Sequence, residues 1–481
     1  MKVAFLASEV IPYAKTGGLA DVAGALPKFL AGLGVEVRVF MPFYRDVRKK
    51  NLPLEPAGDA ALLEMGGKKL AYRVYSLTAD GVRFYFIDRP EYFDRDGLYG
   101  TPAGDFPDNG ERFAFFSRAA LETMRALGFS PDILHVHDWQ SALAFAYLRT
   151  TYAGDPFFAR TRTLFTIHNL AYQGLFEEEV LERVGLPHSL FNMNDLEFYG
   201  KVNALKAGIL YATAVTTVSP TYSREIQTPA FGCGLDGLLR ARAAALHGIL
   251  NGVDYKDWDP ASDGLIPHNF GPDDLTGKKV CRMALAAQFG LDAPEDRPVA
   301  GMVTRLAGQK GLDIVCEALN DLLALGLRVV VLGTGEQKIQ DFLVAAQKKS
   351  PDRIGLKIAF DEKIAHTIYA GSDLFLIPSR YEPCGLTQMY AMKYGTIPVV
   401  RATGGLVDSV EEFDPRTGAG NGFKFVEAEP AALVAAADNA VAAFGRPADW
   451  RRLVANAMAA DFSWKRSAAA YLDLYKKMAA I

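Results

Sequence analysis

The sequence predicts an α/β protein made of two doubly wound domains. Three observations carry this. Strand-like apolar runs alternate with helical stretches through the first half, the alternation breaks at residues 247–264, and it then restarts. At 481 residues, half of them hydrophobic, the chain is too long for one ordinary core.

The first run, "VAFLA" (residues 3–7), reads as a buried strand. A loop, "PYAKTGGLADVAG" (residues 12–24), leads into "LPKFLAGLG" (residues 26–34), which has helical spacing and Gly34 as a stop. Further strands are expected at "VEVRVFMP" (35–42), "VRFYFID" (82–88), "DILHVH" (132–137), "RTLFTIH" (162–168) and "AVTTVS" (214–219). Helical stretches such as "GERFAFFSRAALETMRALG" (110–128) lie between several of them, so the sheet should be mostly parallel. "HGILNGVDYKDWDPASDG" (247–264), rich in Gly, Asn, Asp and Pro, reads as a domain crossing. Five more strands are expected at "RPVAGMVTRL" (297–306), "LRVVVLGTG" (327–335), "GLKIAFDE" (355–362), "DLFLIPS" (373–379) and "TIPVVRATGG" (396–405). The final "WKRSAAAYLDLYKKMAA" (464–480) is helical and could pack on either domain. Two such domains face to face would leave a cleft, with ligands at the C-terminal ends of the strands.

Composition narrows the partners. A formal charge of -4 without a basic tail argues against nucleic acid. Four cysteines without C-x-x-C spacing suggest a reducing compartment and no structural zinc. The opening "MKVAFLASE" is too short an apolar stretch for a signal peptide, and no run of about 18 apolar residues suggests a membrane span. A cytoplasmic protein is expected.

The loops after the strands hold the chemistry. Lys15, Gly17 and Gly18 form a candidate anion cradle: glycines let backbone N–H groups approach a ligand, and a helix N-terminus favours negative charge. Neither G-x-x-x-x-G-K-[ST] nor G-x-G-x-x-G is present; in "VLGTG", Lys338 stands where a third glycine would be needed. "VTRLAGQKG" places Arg305 and Lys310 after a strand, a fork and a point charge suited to phosphate. "SRYEPCGLTQMYAMKYG" offers Glu382 before a turn and a helix, either as an ordinary dipole partner or as an acceptor for sugar hydroxyls. Cys384 there could be an activated thiol, although no His lies nearby in sequence. Asp138 and His168 follow two strands of the first domain; the alternative for such a His is a satisfied structural role. The Asp94/Asp96 and Asp257/Asp259 pairs could ligate Mg²⁺, but the second reads as turn chemistry, and no metal is expected.

Taken in order, "KTGGLADV", "HVHDWQ", "TIHNLAYQG", "LNGVD", "TRLAGQKG", "PSRYEPCGLTQMYAMKYG" and "RATGGLVDSV" resemble the bacterial glycogen synthases and plant starch synthases. The match runs from Lys15 to Asp408. The resemblance implies the GT-B architecture, two Rossmann-like domains facing across a cleft: residues 1–250 on the acceptor side, 251–455 for the nucleotide-sugar donor, and a helix at 456–481 packing back on the first domain. It implies transfer of glucose from ADP-glucose to the non-reducing end of an α-1,4-glucan, with retention and without a cofactor or metal.

Residue by residue, the resemblance carries Lys15, Gly17 and Gly18 to the donor. It makes Arg305 and Lys310 the diphosphate clamp, helped by backbone N–H groups at Gly385, Leu386 and Thr387. Glu382 would bind glucose hydroxyls, while Asp138, His168 and Asn251 would shape the sugar pocket. Phe360 occupies the place of the adenine-stacking aromatic, where tyrosine is commoner. Tyr390 stands where many retaining relatives have a second glutamate. Three cations, Lys15, Arg305 and Lys310, would outweigh the roughly two charges of the diphosphate bridge. The acceptor hydroxyl would attack from the leaving-group side; the alternative is double displacement through a carboxylate, with Asp138 as candidate. Rival readings are a UDP-glucose transferase, a nicotinamide oxidoreductase and a non-catalytic glucan-binding protein.

Overall fold

The computed structural model describes residues 1–480. They form two compact units: Met1–Ile249 together with the residues from Trp464 onward, and Leu250–Ser463.

The first unit contains β1 (Lys2–Leu6), α1 (Gly18–Gly32), β2 (Glu36–Pro42), β3 (Ala61–Met65), β4 (Lys68–Ala79), β5 (Val82–Asp88), α2 (Asn109–Ala126), β6 (Ile133–His137), α3 (Asp138–Arg149), β7 (Arg162–Ile167), α4 (Ala204–Tyr211), β8 (Ala214–Thr217) and β9 (Leu246–Gly248). Their order in the sheet is β9-β8-β7-β6-β1-β2-β5-β4. From β9 to β5 every pairing is parallel. β1 therefore leads to β2 on one side, while β6 returns on the other. The gap between β1 and β6 is the topological switch point.

The β3–β4 hairpin adds an antiparallel edge. Its turn, Gly66-Gly67, takes positive φ at both residues (55° and 72°), as a tight hairpin turn with the right-handed strand twist requires. Leu63, Met65, Leu70, Tyr72 and Val74 alternate inward. This hairpin is absent from the strand-like runs read from the sequence.

The second unit contains α5 (Thr276–Phe289), β10 (Val299–Val303), α6 (Leu312–Ala324), β11 (Arg328–Leu332), α7 (Gln337–Lys349), β12 (Ile354–Lys357), α8 (Glu362–Gly371), β13 (Leu374–Ile377), α9 (Thr387–Lys393), β14 (Ile397–Arg401), β15 (Phe423–Phe425), α10 (Pro430–Phe444) and α11 (Pro447–Ala459). The six strands are ordered β12-β11-β10-β13-β14-β15, all parallel. That is the 3-2-1-4-5-6 doubly wound order, with its switch point between β10 and β13.

The last helix, α12 (Trp464–Ala479), belongs to the first unit. Trp464, Ala468, Tyr471, Tyr475 and Met478 repeat at helical spacing and are buried. Tyr475 hydrogen-bonds His135 of β6. Residues 456–463, grouped from sequence with this helix, instead finish α11 and its following turn in the second unit. α11 packs on α9 and α10 there.

Candidate functional site

In the first unit the sequence-predicted residues collect at the ends of β1, β6 and β7, around the switch point. α1 begins at Gly18, so Gly17 is its N-cap and Gly18 its first residue. Both have extended or helical backbone, and a Cβ on either would meet nothing within 4 Å. Their smallness leaves open space rather than relieving an internal clash.

The cradle is not empty of charge. Glu9, which from sequence only ends the first apolar run, is buried and turns its carboxylate into the loop. Glu9 Oε2 accepts from the N–H of Gly17 (3.0 Å) and from that of Thr16; Oε1 accepts from Thr16 Oγ1 (2.6 Å) and Tyr99 Oη (2.6 Å). Tyr99 in turn accepts from Ser8 Oγ at 2.8 Å. The Gly17 N–H expected to meet an external anion is thus given to an internal one. Lys15 Nζ lies 2.7 Å from Asp21 Oδ1, on the first turns of α1. Sequence reasoning missed Glu9 and Tyr99. A carboxylate two residues past a buried apolar run is a signal for Glu9; "DRDGLYG" contains none for Tyr99.

Asp138 opens α3 with φ of 52°, a left-handed conformation unusual for a side chain with a Cβ. Its Oδ1 accepts from the His168 N–H at 2.7 Å, and the Asn169 N–H also bonds the carboxylate. Burial raises its pKa to about 7 against those two hydrogen bonds. Asp138 therefore holds the loop after β7, and a carboxylate so engaged makes a poor nucleophile. His168 Nε2 lies 2.9 Å from His137 Nδ1, and burial lowers its pKa to about 3, so its imidazole is neutral at physiological pH.

In the second unit Lys310 Nζ is 2.6 Å from Glu382 Oε2, which also accepts from Ser379 Oγ at 2.8 Å. The structure thus joins two sequence-predicted residues that lie 72 positions apart, one after β10 and one after β13. Arg305 stays exposed; it donates to Gln309 Oε1 at 3.2 Å, and no carboxylate among the described residues pairs with it. Two of the three cations expected to outweigh the diphosphate charge thus already have carboxylate partners. Lys15 and Lys310 face Asp21 and Glu382, leaving Arg305 as the member of the trio without a carboxylate.

Gly385 takes φ of 70° just before α9, whose first residue is Thr387 with Leu386 as N-cap. Gly404 and Gly405 support this turn from below. A Cβ there would lie 1.9 Å from Glu382 O and 2.0 Å from Cys384 O. The Gly405 N–H donates to Glu382 O at 3.1 Å. Asn251 bonds the Cys384 thiol with its backbone and side chain, and its own Oδ1 is buried without a partner. Burial pushes Cys384 up to about 12, which removes the activated-thiol reading. Phe360, in the loop after β12, leaves 90% of its surface exposed.

The remaining sequence candidates have other partners. Asp94 and Asp96 bind Arg45, each at 2.7 Å. Asp259 accepts from the Ala261 N–H in a turn and lies 3.5 Å from Lys393. Gly333 and Gly335 let two backbones touch: a Cβ would lie 1.9 Å from Thr304 O and 2.2 Å from Leu306 O. "VLGTG" is thereby explained by packing.

Two family models match the chain: the starch synthase catalytic domain over residues 2–241 and glycosyl transferases group 1 over residues 286–452. The glycogen synthase of Syntrophotalea carbinolica is 49% identical over 99% of this chain and 99% of its own. The chain belongs to the glycogen synthase and starch synthase family. The glycogen synthase of Anaeromyxobacter dehalogenans (strain 2CP-C) is 50% identical over the full length of both. The solved catalytic domain of starch synthase IV from Arabidopsis thaliana, bound to ADP and acarbose, matches with a TM-score of 0.91 and 36% identity, over 100% of this chain and 99% of that one. Sucrose-phosphate synthase from Thermosynechococcus elongatus, at 18% identity and a TM-score of 0.61, shares the fold. Membership makes the protein a GT-B glucosyltransferase of glycogen synthesis.

Proposed function

We propose that the protein transfers glucose from ADP-glucose to the non-reducing end of an α-1,4-glucan, retaining the anomeric configuration, in the cytoplasm. The observation that carries the donor assignment is the Arg305–Lys310–Glu382 group at the second switch point. It combines an exposed guanidinium that no carboxylate neutralises with a carboxylate already held by an ammonium and a hydroxyl. The starch synthase neighbour bound to ADP and acarbose supports a nucleotide and a glucan as ligands. No helix among the described residues is long and apolar enough to cross a membrane.

In this reading Arg305 and Lys310 of the second unit, with the amides opening α9, stabilise the charge that develops on the departing diphosphate, and Lys15 of the first unit is a donor contact. In the second unit Glu382 and Asn251 meet glucose hydroxyls and Phe360 lies against the adenine; in the first unit His168 offers its imidazole to a sugar hydroxyl. The acceptor hydroxyl attacks from the leaving-group side, and its proton passes to the phosphate oxygen that departs. The bond from the anomeric carbon to the acceptor oxygen forms as the bond to the diphosphate breaks. Asp138 supports the loop of His168 and takes no covalent part. In this reading Arg305 and Lys310 meet the diphosphate charge in place of a divalent ion, while Glu9, Asp21, Asp138 and Glu382 are held by Lys or backbone N–H groups.

The test is nucleotide release from ADP-glucose and from UDP-glucose with glycogen as acceptor, before and after EDTA. ADP release that survives chelation, with little UDP release, is expected. Equal use of UDP-glucose would overturn the donor, and recovery by Mg²⁺ alone would overturn the metal-free mechanism.

A further inference from the structure

Between β1 and β7, three imidazoles lie in contact, and only one belongs to the site just described. His135 and His137 are on the same face of β6, two residues apart. Their rings lie 4.0 Å apart, and the Phe5 ring of β1 lies 4.0 Å from that of His137. His135 is held at both nitrogens, by Tyr475 Oη of α12 (2.8 Å) and by Thr166 Oγ1 of β7 (2.6 Å). Clamped by two rings, His137 makes one side-chain hydrogen bond, from Nδ1 to His168 Nε2 at 2.9 Å. Its Nε2 is fully buried without a partner.

A neutral imidazole carries one ring proton, so the shared hydrogen bond has two possible forms. In one, His137 Nε2 carries its proton into surroundings with no acceptor, and His168 donates. In the other, His137 Nδ1–H donates to His168 Nε2, and only a lone pair is left unmatched. A stranded buried N–H is the rarer and costlier defect. In the second form His168 must carry its own proton on Nδ1, the nitrogen that has no partner among the described residues and is not sealed off.

We infer that His137 is a positioning residue that locks His168 in the Nδ1–H tautomer, so that His168 presents a hydrogen-bond donor to the substrate sugar. The consequence for turnover rests on the role proposed above for His168; the tautomer itself does not. His135 and Tyr475 complete the device. They fix the ring against which His137 is stacked, and thereby tie the C-terminal helix to the proton position on a site residue.

The experiment is long-range ¹H–¹⁵N spectroscopy on histidine-labelled wild-type protein, H137N and H137F, with steady-state kinetics on each. Asparagine keeps an N–H donor near the Nδ1 position; phenylalanine keeps the ring and removes it. Wild type and H137N should show His168 protonated at Nδ1 alone, and H137F a mixture of tautomers. H137F should lose roughly ten- to a hundredfold in kcat, with ADP affinity unchanged, and H137N should recover most of it. A proton on His168 Nε2 in the wild type would overturn the inference, even if H137F fails to fold. So would an H137F protein with wild-type kcat. Absence of glucosyl transfer in the wild type would overturn the proposed function, while the spectra would still decide the tautomer.

Discussion

Each doubly wound unit places a buried glutamate at its switch point, and the two are held in different ways. Glu9 of the first unit is bound by neutral donors: two backbone N–H groups, a threonine hydroxyl and a tyrosine hydroxyl. Glu382 of the second unit is bound by an ammonium and a serine hydroxyl. The glycine pairs differ as well. Gly17 and Gly18 border open space, whereas Gly404 and Gly405 are pressed against the backbone at Glu382 and Cys384. The first loop keeps its space for something that enters, and its internal carboxylate shapes it. The second loop spends its glycines on packing, and it offers the charges.

The largest effect should come from the charged loop. Arg305→Ala and Lys310→Ala should each lower kcat roughly 30- to 1000-fold with folding intact, since contacts to a developing charge in a closed site are worth that much. Near-normal turnover in both would abolish the distinction between the loops. Glu382→Gln should leave ADP affinity almost unchanged while impairing glucose transfer. Loss of ADP affinity instead would move Glu382 to the nucleotide.

Next are the glycines. Gly405→Ala forces a Cβ to within 2.0 Å of backbone, and should cost about 1–3 kcal/mol in denaturant unfolding. Gly18→Ala should leave stability within about 0.5 kcal/mol of wild type and act only on substrate binding. Equal destabilisation would show that the first loop is packed after all. Glu9→Gln replaces an acceptor-only group with one that presents N–H to other donors. It should weaken loop ordering, read as faster hydrogen exchange at Thr16 and Gly17, with a smaller loss of turnover than Lys310→Ala.

The smallest effect is the pH dependence of stability. Burial holds His135 and His137 well below the ordinary histidine range and His168 at about 3. Their contribution is complete above about 6.5 and is lost as pH falls, because the unfolded chain then binds the protons that the folded one refuses. Asp138, raised to about 7, works in the opposite sense: its contribution is present below about 4 and lost as pH rises through 7. Within this cluster three groups oppose one, so its contribution to thermal stability should climb between pH 4 and 6.5, and H135F should flatten the wild-type curve over that range. An H135F curve parallel to that of wild type over this range would contradict the neutral histidine cluster.

Most of the doubly wound strands were legible because parallel strands buried on both faces are continuous apolar runs. The β3–β4 hairpin was not, since an edge pair alternates and reads more weakly. Lys15, Arg305, Lys310 and Glu382 were legible because loops after strands are where such folds place ligands. Their partners were not. Glu9 meets Tyr99 across 90 positions and Lys310 meets Glu382 across 72, distances over which no local pattern reports contact.

The sequence by itself determined the alternation of strands and helices, the charged post-strand loops and the family. Each depends on residue type and short spacing, which the linear chain displays. Only the tertiary structure decided which cations are already paired, that Asp138 is spent on backbone N–H groups, and that His137 stands behind His168. Those are matters of burial and of which loops the strand order brings side by side. A charge counted along a chain has no sign of its neighbour until the sheet is assembled.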